Sequence, residues 1–224
     1  MAHGKLALKY SAKLKKPAIT EEQRRGTVFI IEDHDATRQL LADLYLSVGM
    51  HVETFPCATD FLHTNSPDTP SCLILDVRLP GMSGLQLQRR LVDQQVPIPI
   101  IMTSGYGDIE MCAQALKAGA LDFIRKPFRE HDMLEAVSKA LEVSKLRLDK
   151  EKALSHVRAK HATLTSREKE VMTLVTNGLM NKQIAGELNL SEVTVKIHRG
   201  QLMRKMGTRS VAELVKVSQL LATA

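Results

Sequence analysis

The chain has 224 residues, 44% of them apolar and 25% charged, an ordinary globular balance with length for one large domain or two modest ones. No apolar run reaches the roughly 18–20 residues of a transmembrane helix, and three scattered cysteines (Cys57, Cys72, Cys112) argue for a reducing, cytoplasmic setting rather than a disulfide frame. The net charge of +6 is uneven: residues 1–25 hold 7 basic and 2 acidic groups, 26–147 hold 11 and 16, and 148–224 hold 13 and 7, so a nucleic-acid partner is expected for the basic end.

Residues 1–26 form a basic extension, expected to be disordered, although the spacing of Lys5, Lys9, Lys13, Lys15 and Lys16 permits a short basic amphipathic helix. Lysines interrupt any apolar stretch there, so no secretory core is present. Val28 to Ile31 reads as a strand ending in Glu32-Asp33-His34-Asp35. A helix follows from Ala36 to Val48, with Leu40, Leu41, Leu44 and Tyr45 as its periodic residues, stopped by Gly49. His51 to Phe55 is a second strand, Thr59 to Asn65 a helix, and residues 66–70 a loop. Cys72-Leu-Ile-Leu-Asp76 is an apolar run without alternation, which suits a strand buried on both faces. Leu85 to Gln94 is helical, Pro99 to Thr103 a fourth strand, Ile109 to Ala118 a helix capped by Gly119, Leu121 to Arg125 a fifth strand, and Glu130 to about Arg147 a last helix. Five alternations of strand and helix argue a parallel sheet with helices on both faces.

In such a sheet, ligands bind beyond the carboxyl ends of the strands. Those ends offer Glu32 and Asp33, then Asp76, then Ser104, then Lys126. Three crowded carboxylates repel one another unless a cation joins them, and all-oxygen donors suit Mg²⁺. An aspartate beside such a cation is a nucleophile toward a phosphoryl group, with a lysine and a hydroxyl to receive the other oxygens. Taken singly, each of these residues is an ordinary strand-end or surface group; their joint occurrence at four strand ends is what points to chemistry.

Residues 27–147 resemble the receiver domain of two-component response regulators. The resemblance lies in Glu32-Asp33, in Asp76 with Pro80 and Gly84 after it, and in Ser104, Phe123 and Lys126-Pro127. The runs Ser104-Gly-Tyr-Gly-Asp108, Ala115-Leu-Lys-Ala-Gly-Ala120 and Asp122-Phe-Ile-Arg-Lys-Pro-Phe128 are similar to the FixJ subgroup. The resemblance implies a flavodoxin-like, doubly wound five-stranded fold and phosphorylation of Asp76 by a sensor histidine kinase. It implies Mg²⁺ on Asp33, Asp76 and the main-chain carbonyl of Arg78, with Glu32 nearby. It implies a switch pair, Ser104 and Phe123, a phosphate partner, Lys126, and a cis peptide bond at Lys126-Pro127. Many members carry Asp at the position of Glu32; one more methylene still reaches a metal. Haloacid-dehalogenase-type phosphatases also form a phospho-aspartate, but resemble one another in a second Asp two residues later. That position is Arg78 here, which argues against a turnover phosphatase.

Residues 148–160 are charged and alanine-rich and read as a helical linker. Leu134, Leu141 and Leu148 are spaced by seven, either a short coiled-coil seam or packing onto the sheet. Residues 161–224 read as an all-α, four-helix domain. Thr165-Ser-Arg-Glu168 is a capping box opening a helix with Val171, Leu174 and Val175 inward. Asn181 is expected to cap a second helix, Lys182 to Leu188, and Ser191 a third, Glu192 to Met206. Two short helices about a tight turn at Asn189-Leu190 form the pattern of a helix-turn-helix. Val195, Leu202 and Met206 share the inward face of the third helix; Lys196, Ile197, Gly200 and Arg204 fall outward. A cation and an apolar chain at a groove-entering face suit guanine edges and thymine methyls. Lys182, Thr194, Arg199, Lys205 and Arg209 are candidate phosphate contacts.

The stretch from Leu164 resembles the output domain of LuxR/NarL/FixJ regulators. The carrying residues are Leu164-Thr-x-Arg167-Glu168-x-Glu170-Val171, Gly178-Leu-Met-Asn181-Lys182-Gln-Ile184-Ala185 and Ser191-Glu-Val-Thr194-Val195-Lys196-Ile197-His198. The resemblance implies base reading from Lys196, Ile197 and Gly200, a homodimer when phosphorylated, double-stranded promoter DNA and RNA polymerase as partners, and no membrane. The combined expectation is a transcriptional regulator, not an enzyme.

Overall fold

A computed structural model describes residues 26–64, 68–105 and 109–222; the expectation for residues 1–25 falls outside them. The chain divides into two compact units, residues 1–148 and 149–224.

The first unit alternates strand and helix: β1 (Thr27–Ile31), α1 (Asp35–Ser47), β2 (His51–Phe55), α2 (Ala58–Phe61), β3 (Ser71–Asp76), α3 (Gly84–Asp93), β4 (Ile100–Ser104), α4 (Ile109–Lys117), β5 (Asp122–Arg125) and α5 (Glu130–Ala162), whose residues from 149 on are counted with the second unit. All strand pairs are parallel, in the order β2-β1-β3-β4-β5. Strands β1, β3 and β4 are buried along their whole length, which explains their unbroken apolar runs: side chains alternate across the sheet and each face needs a covering. Val28, Ile30, Cys72, Ile74 and Ile101 pack beneath α1 and α5 with Leu41, Tyr45, Met133 and Val137. Phe29, Ile31, Leu73, Leu75 and Met102 pack on the other face with Phe61, Leu87 and Leu91. The rings of Phe29, Phe55 and Phe61 meet at centroid separations of 5.5–6.3 Å.

Three expectations are corrected. Leu40 is exposed, because the inward stripe of α1 is Leu41, Ala42, Leu44 and Tyr45 and Leu40 stands a further residue's turn away from it. Helix α2 is a single turn, Ala58–Phe61, and has ended before residues 62–64; Asn65, the expected end, lies outside the described residues. Helix α5 continues to Ala162 instead of stopping near Arg147. No Gly or Pro lies between 130 and 162, so the charged, alanine-rich stretch had nothing to break it. Leu134 and Leu141 are buried in the sheet-facing core, which resolves their spacing in favour of packing. The Tyr45 hydroxyl donates to the Met133 carbonyl (3.1 Å) and the Ser71 N–H to Ser144 Oγ (3.0 Å), fastening α5 to α1 and to the start of β3.

In the second unit, α6 (Ser166–Thr176), α7 (Asn181–Leu188), α8 (Glu192–Met206) and α9 (Val211–Ala222) enclose a core of Val171, Val175, Ile184, Val195, Leu202, Met206 and Leu214. The capping box is made: Glu168 N–H donates to Thr165 Oγ1 (3.3 Å) and Thr165 N–H to Glu168 Oε2 (2.7 Å). Ser191 caps α8 through the Thr194 N–H (3.0 Å). Asn189 ends α7 in the left-handed region at φ 53°. Asn181 does not cap α7. It is the first helical residue after Met180, and Gln183 Oε1 accepts the Met180 N–H (2.8 Å) in its place.

Candidate functional site

Register sets the first site. Ile31 is paired with Leu75, so Glu32 and Asp76, each one residue further, stand level at the same sheet edge. Asp76 is paired with Thr103 and Ser104 with Arg125, which brings Ser104 and Lys126 to that edge as well. The edge lies at the switch point of the 2-1-3-4-5 order, where connections leave in opposite directions and open a crevice.

Lys126 Nζ donates to Glu32 Oε2 at 2.5 Å and to Asp76 Oδ2 at 2.9 Å. Asp76 Oδ1 also accepts the Arg78 N–H (3.3 Å). Glu32 is 2% and Asp76 6% exposed, while Asp33 is exposed. Burial pushes the Glu32 carboxyl up; its hydrogen bond with Lys126 works against this without cancelling it. Burial alone would lower the Lys126 ammonium, but its bonds to Asp76 and Glu32 outweigh that and leave it raised, hence charged. Ser104 is fully buried at the end of β4, and its carbonyl accepts the Lys126 N–H (2.7 Å). Phe123 is half-buried on β5, packed with the α3–α4 face. The Lys126-Pro127 peptide is cis.

Carboxylate oxygens of Glu32, Asp33 and Asp76 lie within 4.8 Å of one another. Three carboxylates against one ammonium leave an excess of negative charge among hard oxygen donors. That set fits a Mg²⁺-sized dication that keeps part of its water.

The loop after Asp76 is fixed by a glycine whose reason is not visible in the sequence. A Cβ on Gly84 would lie 2.1 Å from the Asp76 carbonyl oxygen and 3.1 Å from Val77 Cα. The Gly84 N–H donates to the Val77 carbonyl (3.0 Å), and Ser83 caps α3 one residue earlier in a capping box with Gln86. The start of α3 therefore presses on the main chain of Asp76 itself, and only glycine fits. Gly84→Ala is expected to cost about 1–3 kcal/mol, the usual penalty of overpacking, and to displace Asp76; thermal unfolding beside phosphoryl-transfer rate would register both.

The second candidate surface is α8 with its neighbours. Lys182, Lys196, Ile197, Gly200, Arg204 and Arg209 are exposed. Three other candidates are engaged within the protein. Thr194 Oγ1 meets Ser191 Oγ (2.8 Å). Arg199 donates to Asn181 Oδ1 (2.8 Å), tying α8 to α7. Lys205 Nζ donates to Glu168 Oε2 (2.6 Å) and to the Thr163 carbonyl (3.2 Å). The partners of Arg199 and Lys205 lie 18 and 37 residues away, on other elements, so these bonds are not visible in the sequence.

Residues 28–138 match the family described as Response regulator receiver domain, and residues 162–218 match Bacterial regulatory proteins, luxR family. Nodulation protein W of Bradyrhizobium diazoefficiens is 46% identical over 202 residues, covering 90% of this chain and 89% of that protein. The chain belongs to the FixJ-like response regulators. Transcriptional regulatory protein FixJ of Rhizobium meliloti is 39% identical over 194 residues, 86% of this chain and 94% of its own. The solved structure of response regulator StyR is 42% identical, covers 87% of this chain and 98% of that one, and superposes with a TM-score of 0.80. The receiver fold and the helical LuxR-type DNA-binding domain are those expected from the sequence. The family is one of transcriptional regulators, and the protein is not an enzyme of the phosphatase kind. Among the described residues, no helix is long and apolar enough to cross a membrane.

Proposed function

We propose that a sensor histidine kinase phosphorylates Asp76, and that the phosphorylated chain dimerises and binds promoter DNA through α8 to control transcription by RNA polymerase. The observation that carries this reading is the convergence of Lys126 on Glu32 and Asp76 at the sheet edge. A carboxylate oxygen of Asp76 attacks phosphorus, the P–N bond to the donor imidazole breaks, and an acyl phosphate forms as the histidine leaves. Lys126 is placed to take one phosphoryl oxygen and the buried Ser104 hydroxyl another. Glu32, Asp33 and Asp76, with the Arg78 carbonyl, would hold Mg²⁺. When bound, it would neutralise charge developing on the transferred oxygens. Ser104 drawn toward the phosphate would free space for Phe123 to turn inward, altering the α4–β5 surface used for dimerisation. DNA as the target puts the protein in the cytoplasm. The test is sedimentation of the full chain with and without a small phosphodonor and Mg²⁺. A phosphodonor-dependent rise in mass is expected; an unchanged monomer at every concentration would count against dimerisation.

On the DNA side, Lys196 lies on the outer face of α8 and Lys182 at the start of α7, both exposed. Lys196→Ala is expected to cost roughly 1–3 kcal/mol on the best site and to relax sequence preference. Lys182→Ala should weaken specific and scrambled duplexes about equally and lower the salt slope by about one unit. Titrations of both duplexes across a salt series separate the two roles, and an equal loss for Lys196→Ala on both would reduce it to a phosphate contact.

A further inference from the structure

Helix α8 carries an exposed apolar residue, Val193, that the candidate residues do not account for. Val193, in its first turn, is 69% exposed, and Ile197, four residues on, is 55% exposed. Neither belongs to the core of the second unit, which takes Val195, Leu202 and Met206 from the same helix. At about 100° per residue, Val193 stands within about 60° of Lys196, Ile197, Gly200 and Arg204, and about 140–180° from the three buried residues. Val193 is therefore aimed along the centre of the outward face, with Gly200 almost directly below it. Gly200 has no role in internal packing: a Cβ there would meet nothing within 4 Å. A mid-helix glycine costs about 1 kcal/mol against alanine, so its bareness serves something that approaches from outside.

The occupant is read from the surroundings. Exposed Lys196 and Arg204 share this outward face of α8, and residues 148–224 carry 13 basic against 7 acidic groups. Cations bordering a narrow apolar stripe on one helix face suit a duplex groove, whose rim is phosphate and whose apolar floor feature is the thymine methyl.

Resting on the DNA-binding reading above, in which Ile197 is already a base-reading residue, we propose that Val193 joins it in an apolar strip that selects thymine by its 5-methyl group, with Gly200 leaving the helix bare so that the strip reaches the groove floor. Val193 is then a specificity-determining residue alongside Lys196. The two act differently: the lysine reads a hydrogen-bonding edge, the valine reads a methyl group and is insensitive to salt.

The test uses the full-length protein treated with a small phosphodonor and Mg²⁺, and duplexes that it enriches from a random pool. Each thymine in an enriched site is replaced in turn by uracil, which removes only the methyl. Wild type is expected to lose about 3- to 5-fold in affinity at two or more thymines, the value of one buried methyl each. Val193→Ala should lose a similar factor on the parent duplex and become indifferent to uracil at one of those positions; Ile197→Ala should become indifferent at another. Both sites are exposed and alanine is the better helix former, so the variants fold. Val193→Ala retaining every uracil penalty of wild type overturns the proposal, as does a wild type indifferent to all of them. A variant that alters sedimentation but not DNA binding also overturns it, by assigning the strip to a protein surface. A pool that enriches no sequence would instead sink the promoter-binding reading, and this inference with it.

Discussion

Incubation with a small phosphodonor and Mg²⁺ is expected to add one base-labile phosphoryl group to the protein, and Asp76→Asn to abolish it. An amide is a poor nucleophile, so the loss should be complete rather than partial. The substitution is gentle on the fold. The carbonyl oxygen of the introduced amide can still accept from Lys126 Nζ, which lies 2.9 Å from Asp76 Oδ2, and the Lys126–Glu32 bond is untouched. A folded, unlabelled variant therefore isolates the chemistry from the scaffold. Intact mass before and after mild base gives the result. Retained labelling would move the phosphoacceptor elsewhere, with the exposed Asp33 as the neighbouring carboxylate to examine.

The parts of this site that were legible in the sequence are those set by local pattern. The apolar run into Asp76 marked a strand buried on both faces, and its parallel register then had to bring Glu32, Ser104 and Lys126 to one edge. The Thr165–Glu168 capping box worked the same way, since the two residues need only each other. What was not legible depends on approach between distant segments. Gly84 reads as a loop glycine; its reason is a main-chain carbonyl eight residues back. Asn181 looks like a helix cap because its type and place fit one, but its side chain accepts from Arg199 across the helix-turn-helix. The length of α5 was hidden for another reason. Its apolar periodicity fades after residue 147 where the sheet no longer covers it, yet helix persists without periodicity when nothing breaks it. The outward aim of Val193 was available from its spacing to Ile197, but a lone exposed valine carries no signal until the core is known.

Lys205 tests how far a surface lysine can be judged by charge alone. Lys205→Ala is expected to destabilise the DNA-binding domain by about 1–3 kcal/mol, because it leaves a buried carboxylate short of a partner. Glu168 is 1% exposed, and its Oε2 accepts from Lys205 Nζ at 2.6 Å and from the Thr165 N–H at 2.7 Å. The Thr165 bond survives the substitution, and the Lys205 side chain is about a third exposed, so water can partly replace the lost ammonium and the cost stays below that of a sealed ion pair. The pair also sets a pH dependence. Its hydrogen bond with Lys205 holds the Glu168 carboxyl below the usual carboxylate range, against the opposing effect of burial. A carboxyl lowered in the folded state contributes stability that is present above its unfolded pKa and is lost as pH falls through the folded value. The gap between wild type and Lys205→Ala should accordingly be full at neutral pH and close in acid, below the ordinary carboxylate range. Hydrogen exchange of the α6 and α8 amides measures it locally, without requiring the two units to unfold together. The salt slope of DNA binding should change little in this variant, in contrast to the loss of about one unit expected for Lys182→Ala. Unchanged protection in α6 and α8, together with a slope lowered by about one unit, would support Lys205 as the phosphate contact expected from the sequence and reduce its bond with Glu168 to an incidental one.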